Sequence, residues 1–241
     1  MGEHILVING SPRADKGITE VVTRKFLEGC ALHGATSEVV YVTKCRLSAC
    51  AGELACYFTG SPRCQVFRDD DGTALAKKWI EADRIVLASP LHFNSVTSHI
   101  TRFLERLIAI SDPLYIENHG FPTHKVPYEP KPSAIIGVCA YPGVHNFALF
   151  REVMLNYQRV FWLEPGGAVL VPMSRDLTVL GASNPRRKEV TRVVDAITRA
   201  GREWMEGGEI PPETEEDISR DTDLYEKLLG EYDSYFTALN A

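Results

Sequence analysis

His4-Ile-Leu-Val-Ile-Asn-Gly-Ser-Pro-Arg-Ala-Asp-Lys-Gly-Ile-Thr19 opens with six residues of mostly apolar character. Gly10, Ser11 and Pro12 end the run, so His4 to Asn9 reads as a short buried strand. A helix is expected next, from about Gly17 to His33. Val21, Val22, Phe26, Leu27 and Cys30 recur on one of its faces, and Gly34 can close its C-terminus. Strand, polar turn and helix in that order are the opening unit of a parallel sheet.

The same alternation continues along the chain. Strands are expected at 37–42, 84–88, 134–140 and 168–172, and helices at about 73–82, 97–110, 145–160 and 186–206. Five strand-like runs with intervening helices imply a doubly wound α/β domain, its parallel sheet covered on both faces. The stretch from Asp112 to Pro132 carries five prolines and little periodicity, and reads as a long loop of the kind that serves as a lid or interface. The domain is expected to span 1–208, with an acidic amphipathic arm at 209–241.

Composition sets the outer bounds. The 241 residues are 44% hydrophobic and 24% charged, which excludes disorder, collagen-like repeats and coiled coil for the whole chain. The longest apolar runs, such as Ala134 to Ala140, fall far short of the ~20 residues that cross a bilayer. Met1-Gly-Glu-His leads straight into the first strand with no apolar signal region, so a cytoplasmic protein without membrane contact is expected. Residues 211–241 hold nine acidic and two basic side chains and so carry more than the whole net charge of −6. The body is left near neutral, without the basic field that nucleic acid binding uses. In the tail, Tyr225, Leu228, Leu229, Tyr232, Tyr235, Phe236 and Leu239 keep helical spacing, so one face of residues 221–239 is expected to be buried.

Ligands of an open parallel sheet bind beyond the carboxyl ends of its strands. After the first strand stand Ser11, Arg13, Gly17 and Thr19, with free backbone N–H groups at a helix start. The loop is neither G-x-G-x-x-G nor a Walker A sequence. Its chemistry fits a phosphate cradle or a polar turn that caps a helix, and leaves both open. After the third strand, Ser89-Pro-Leu-His-Phe-Asn-Ser95 is a stiff turn able to offer backbone groups to a flat polar ring. After the fourth, Tyr141-Pro-Gly143 is compact, and Gly143 permits close approach.

Taken together, Gly10-Ser-Pro-Arg, Gly17-Ile-Thr-Glu20, the cysteine loop ending in Asp69-Asp-Asp71, and Ala82 to Phe93 resemble the NADPH-dependent FMN reductases and their relatives the iron–sulfur flavoproteins. The resemblance implies a flavodoxin-like fold and bound FMN. Ser11, Arg13, Gly17, Ile18 and Thr19 would surround the phosphate. Pro90, Leu91, His92, Phe93, Asn94 and Ser95, with Tyr141, Pro142 and Gly143, would border the isoalloxazine ring. Two departures stand out. The family often has Asn where Ile18 stands and Tyr where His92 stands.

Four of the six cysteines, Cys45, Cys50, Cys56 and Cys64, fall within twenty residues. Iron–sulfur relatives carry C-x-x-C-x-x-C and a fourth cysteine, but this register puts Glu53 at the second position. A carboxylate replaces a thiolate poorly in a four-iron cluster. If a cluster formed, Cys50, Cys56 and Cys64 would need Cys45 or Glu53 as the fourth ligand. Buried or redox-sensitive thiols are the preferred reading, ahead of a cluster and of zinc. Asp69-Asp-Asp-Gly72 fails as a calcium loop and is expected to cap a helix.

The function expected from the resemblance is an FMN-dependent NAD(P)H oxidoreductase that passes electrons to a quinone, nitro or similar acceptor. His92 is the one candidate proton donor near the flavin. An electron carrier without its own NAD(P)H oxidation is the alternative, and a cofactor-free interaction module a third reading. A homodimer or higher homo-oligomer is expected, with the arm or the 112–132 loop crossing to the neighbour.

Overall fold

A computed structural model describes residues 2–59, 63–118, 120–178, 187–220 and 237. In chain order the main elements are β1 (His4–Asn9), α1 (Ile18–Ala31), β2 (Thr36–Tyr41), α2 (Ala55–Phe58), α3 (Gly72–Glu81), β3 (Arg84–Pro90) and α4 (Ser98–Arg106). They continue as β4 (Tyr115–Asn118), β5 (Phe121–His124), β6 (Lys131–Val138), α5 (Ala148–Val160), β7 (Leu163–Val171), α6 (Arg187–Gly207) and α7 (Pro212–Ser219). Five strands form one parallel sheet in the order β2-β1-β3-β6-β7. That is the flavodoxin-like order, with its topological switch point between β1 and β3.

The inner strands β1, β3 and β6 are buried along almost their whole length, whereas the edge strand β2 is exposed at Thr36 and Ser37. Successive side chains point to opposite sides. Leu6, Ile8, Ile85, Leu87, Ile135 and Leu170 face one core, with Trp79 of α3, Phe103 of α4, and Phe150 and Met154 of α5. Ile5, Val7, Val86, Ala88, Ile136 and Val169 face the other, with Phe26 of α1 and Ile197 and Trp204 of α6. Two glycines let α1 and α6 meet backbone to backbone. A Cβ on Gly29 would lie 1.9 Å from the Thr198 carbonyl oxygen, and one on Gly201 would lie 2.0 Å from that of Phe26.

Several expectations change in detail. The 112–132 stretch is not a featureless loop, since β4 and β5 form an antiparallel hairpin within it. Its prolines had hidden the pattern, and Pro122 is tolerated because the hairpin has only two strands. The expected helix at 97–110 tightens after Arg106 into a 3-10 turn, Leu107–Ile110, and the one at 145–160 begins with another, Val144–Phe147. β7 starts at Leu163, five residues before the expected strand. Gly166 and Gly167, which weaken a strand signal, are there because Trp204 and Ile210 approach too closely for side chains.

At the C-terminus, residues 209–220 pack on the domain. The Ile210 N–H donates to the Gly166 carbonyl, and Glu215 accepts the Ala168 N–H at 2.6 Å. Ile218 is buried against the α6 side of the sheet. The amphipathic stretch at 221–239 lies, except for residue 237, outside the described residues.

Candidate active site

The carboxyl ends of β1, β3 and β6 lie side by side, so the three loops singled out in the sequence meet at one edge of the sheet. At the first, Asn9 starts the turn. Its Oδ1 accepts the Ser11 N–H at 2.9 Å and its Nδ2 donates to Glu20 at 3.3 Å. Arg24 holds Glu20 from the far side at 2.5 Å. The Ser11 hydroxyl accepts the Arg13 N–H at 3.3 Å.

Gly17 has a steric reason. A Cβ there would sit 2.6 Å from the Ser11 hydroxyl. It also occupies the N-cap position of α1 without a side-chain cap. In consequence the N–H groups of Ile18 and Thr19 have no acceptor among the described residues. The Arg13 side chain is exposed beside them, with no carboxylate partner among the described residues. Two orphan donors, a hydroxyl, a guanidinium and the positive end of a fourteen-residue helix can hold a dianionic phosphate. Ile18 adds its backbone N–H to this set, although its side chain has nothing to donate.

The second loop is locked to the first. Thr97 donates its hydroxyl to the Gly10 carbonyl at 2.8 Å, and its N–H donates to the buried Ser89 hydroxyl at 3.2 Å. His92 and Ser95 exchange backbone hydrogen bonds across a two-residue turn. Phe93 and Asn94, at φ +51° and +59°, form its tip. Asn tolerates that conformation, whereas for Phe it is an outlier that the fold has to sustain. The Phe93 ring is also fully exposed. Strain and an exposed ring coincide at the loop where a planar cofactor is expected.

The third loop is held from inside. Asn146 donates to the carbonyls of Pro142 at 2.7 Å and Gly143 at 3.1 Å. Gly143 stands at φ +91°, where a side chain would be strained and would run into the His145 ring. Tyr141 is exposed on this rim.

The cysteines stand elsewhere. Cys30 and Cys139 are buried in or next to the sheet. Burial pushes the Cys30 thiol up to about 12. In the cysteine loop, the Cys50 sulfur accepts the Gly52 N–H, the Cys64 sulfur accepts the Phe67 N–H, and the Cys45 thiol donates to the Tyr41 carbonyl. Burial raises the Cys56 thiol, and Glu53, Cys64 and Cys50 act in the same direction. Among the described residues, no three His, Cys, Asp or Glu side chains are grouped closely enough to hold a metal ion. Cys56 lines a cavity of about 370 Å³, and Cys50 a second one of about 460 Å³.

The capping expected of this segment comes from Asp70, which takes the N–H of Gly72, the first residue of α3, while Asp71 at the N-cap makes no side-chain cap. The Asp71 carboxylate accepts the Arg46 N–H instead. Asp70 also pairs with Arg106, a partner thirty-six residues away that local sequence could not reveal. No helix of the described residues is long and apolar enough to cross a membrane.

Residues 4–154 match the profile of the NADPH-dependent FMN reductase family. An iron–sulfur flavoprotein of Methanocaldococcus jannaschii is 31% identical over 102 residues, 42% of this chain and 50% of that protein. The chain thus aligns with about half the length of that curated relative. Among solved structures, an FMN-dependent NADH-azoreductase from Bacillus anthracis in complex with FMN has a TM-score of 0.59 at 12% identity. It covers 85% of this chain and 100% of its own. An NAD(P)H:quinone oxidoreductase from Methanothermobacter marburgensis has a TM-score of 0.58 at 14% identity, covering 85% of this chain and 96% of its own. At such identities the likeness carries the fold alone.

Proposed function

The chain belongs to the NADPH-dependent FMN reductase family, and from that premise we propose that it binds FMN at the edge formed by β1, β3 and β6 and acts as an NAD(P)H-dependent oxidoreductase. The observation that carries this reading is the pair of N–H groups at Ile18 and Thr19, which have no acceptor among the described residues and stand beside the Ser11 hydroxyl and the Arg13 guanidinium. Bound FMN would supply the redox chemistry, taking a hydride from NADPH or NADH and reducing a quinone, nitro or similar small acceptor.

The chain's own residues bind and orient. Ser11, Arg13, Gly17, Ile18 and Thr19 take the phosphate. Pro90 to Ser95 and Tyr141 to Gly143 border the ring, and Thr97 keeps the phosphate loop and the ring loop in fixed relation. His92, exposed at the ring loop, is the candidate to hold a proton near the flavin. Phe93 and Tyr141 offer aromatic surface to a planar acceptor or to a second copy of the chain, and a homodimer is part of this reading.

The test is spectroscopic and kinetic. Purified protein titrated with FMN should quench flavin fluorescence at one equivalent, and the loaded protein should oxidise NADPH or NADH when given a quinone. The likeness to an iron–sulfur flavoprotein favours a second reading, an electron carrier. A carrier would bind FMN but leave NADPH and NADH unoxidised. Protein that takes up no FMN would overturn both.

A further inference from the structure

Arg102 and Arg106 stand one helical turn apart on α4, and their surroundings differ. Arg106 has its carboxylate in Asp70. Arg102 is half-buried and has no carboxylate partner among the described residues. Its Nη2 meets His99 Nδ1 at 3.0 Å, and its Nε, like that of Arg106, is buried without an acceptor among the described residues. A buried N–H donor left without an acceptor is costly, so this side chain is incompletely satisfied where it stands.

The tautomer of His99 follows from chemistry. Arginine has donors only, so Nδ1 must accept and the ring proton sits on Nε2. Burial first, and then the charges of Arg102 and His92, hold His99 below its ordinary value, so it stays neutral at pH 7. His92 belongs to the ring loop, which runs directly into α4. Of the other charges that act on nearby Cys45, Lys78 pairs with Glu38, and Asp71 accepts the Arg46 N–H and lies 4.0 Å from its guanidinium. Cys45, whose thiol feels the Arg102 charge, is raised by burial and is neutral at pH 7.

The group therefore presents unused guanidinium N–H donors and an imidazole N–H donor, with one fixed positive charge. It stands at the foot of the ring loop. The phosphate cradle of β1 is a separate set of donors on the neighbouring strand. We propose that Arg102, with His99, is a second anion subsite that takes a phosphate group next to the flavin ring. A planar fork of guanidinium N–H donors, with an imidazole N–H one helical turn away, suits the oxygens of a phosphomonoester better than a neutral group. The sources of that chemistry are the 2′-phosphate of NADPH and free phosphate. This inference rests on the flavin reading for its place beside the ring.

The experiment is calorimetric titration of FMN-loaded protein with adenosine 2′,5′-bisphosphate, adenosine 5′-monophosphate and inorganic phosphate. It compares wild type with Arg102→Gln, which keeps a donor for His99, and with Arg102→Lys, which keeps the charge without the fork. Arg102→Gln should weaken the bisphosphate by about tenfold or more, the loss of a charge-assisted contact, and Arg102→Lys by less. Binding of the 5′-monophosphate should change little. Loss confined to the bisphosphate assigns the subsite to the dinucleotide, and equal loss for inorganic phosphate assigns it to free phosphate. Unchanged bisphosphate and phosphate binding in a folded Arg102→Gln protein overturns the proposal. The same titration on FMN-free protein keeps the two readings apart, since failure to take up FMN counts against the flavin site and leaves the phosphate comparison readable.

Discussion

Arg106 holds Asp70 with both ends of its guanidinium, Nη1 to Oδ2 at 2.5 Å and Nη2 to Oδ1 at 3.1 Å, and both side chains are nearly buried. The same guanidinium donates to the Ser48 carbonyl at 3.0 Å and stacks over the Phe67 ring. Asp70 also accepts the N–H groups of Ser48 and Gly72. One ion pair thus pins both ends of the cysteine loop to α4.

Asp70→Asn should destabilise the protein by about 3–5 kcal/mol at pH 7, the cost of stranding a buried charge. The dependence on pH has a definite sign. Burial pushes the Asp70 carboxyl up, but the Arg106 hydrogen bond, the two N–H groups and the Arg106 charge outweigh it and hold it below 3.8. Its contribution is therefore complete above about pH 4 and lost as pH falls through the lower folded value. Urea denaturation of both proteins from pH 7 to pH 3 should show their difference shrinking at the acid end. A difference independent of pH would remove the ion pair as its cause.

Gly201→Ala should cost at least about 1–3 kcal/mol, the range for overpacking, because the clash is with a backbone carbonyl that cannot swing aside. Gly207→Ala, where nothing stands within 4 Å, is the control and should be near neutral. Denaturant midpoints of the two variants provide the comparison.

Thiol labelling at pH 8 should reach Cys50 and Cys64 before Cys30 and Cys139. Cys30 is buried, donates to the Gly201 carbonyl, and has its thiol pushed up to about 12. Thiolate is the reactive form, so Cys30 should stay unlabelled until the protein unfolds. Mass-spectrometric mapping of a labelling time course reads the order directly, and early modification of Cys30 would contradict its place between α1 and α6.

Arg13→Ala should weaken FMN by about 1.5–3 kcal/mol, the value of a hydrogen bond to a charged group. Fluorescence titration measures it. An unchanged affinity would remove Arg13 from the phosphate site.

A truncation that probes the arm should fall after Arg220, because α7 packs on the domain. Light scattering should then show a shift toward monomer if residues 221–239 cross to a neighbouring subunit. Truncation after Gly208 should instead destabilise the domain, since it removes Glu215 from the Ala168 N–H and uncovers the core beneath Ile218.

The strand-and-helix alternation was legible because it is local. An apolar run such as Ile5 to Ile8 and a helical stripe such as Val22, Phe26 and Cys30 carry their periodicity in consecutive residues. The β4–β5 hairpin was not legible, because its strands are four residues each and interrupted by Pro122. The phosphate loop could be seen as a loop with the right chemistry, but its unsatisfied N–H groups at Ile18 and Thr19 belong to backbone geometry and have no side-chain signature.

The layered α/β plan, the loops that follow the strands, and the family motifs from Gly10 to Phe93 could all be read from residue order. Each depends on residues close together in the chain. Packing of distant segments set the rest: β1 lies between β2 and β3, Arg106 takes Asp70, and Arg102 meets His99 with no carboxylate among the described residues. Those outcomes depend on elements that stand tens of residues apart in the chain. They are set when burial brings distant elements together, and no local pattern of residue types records them.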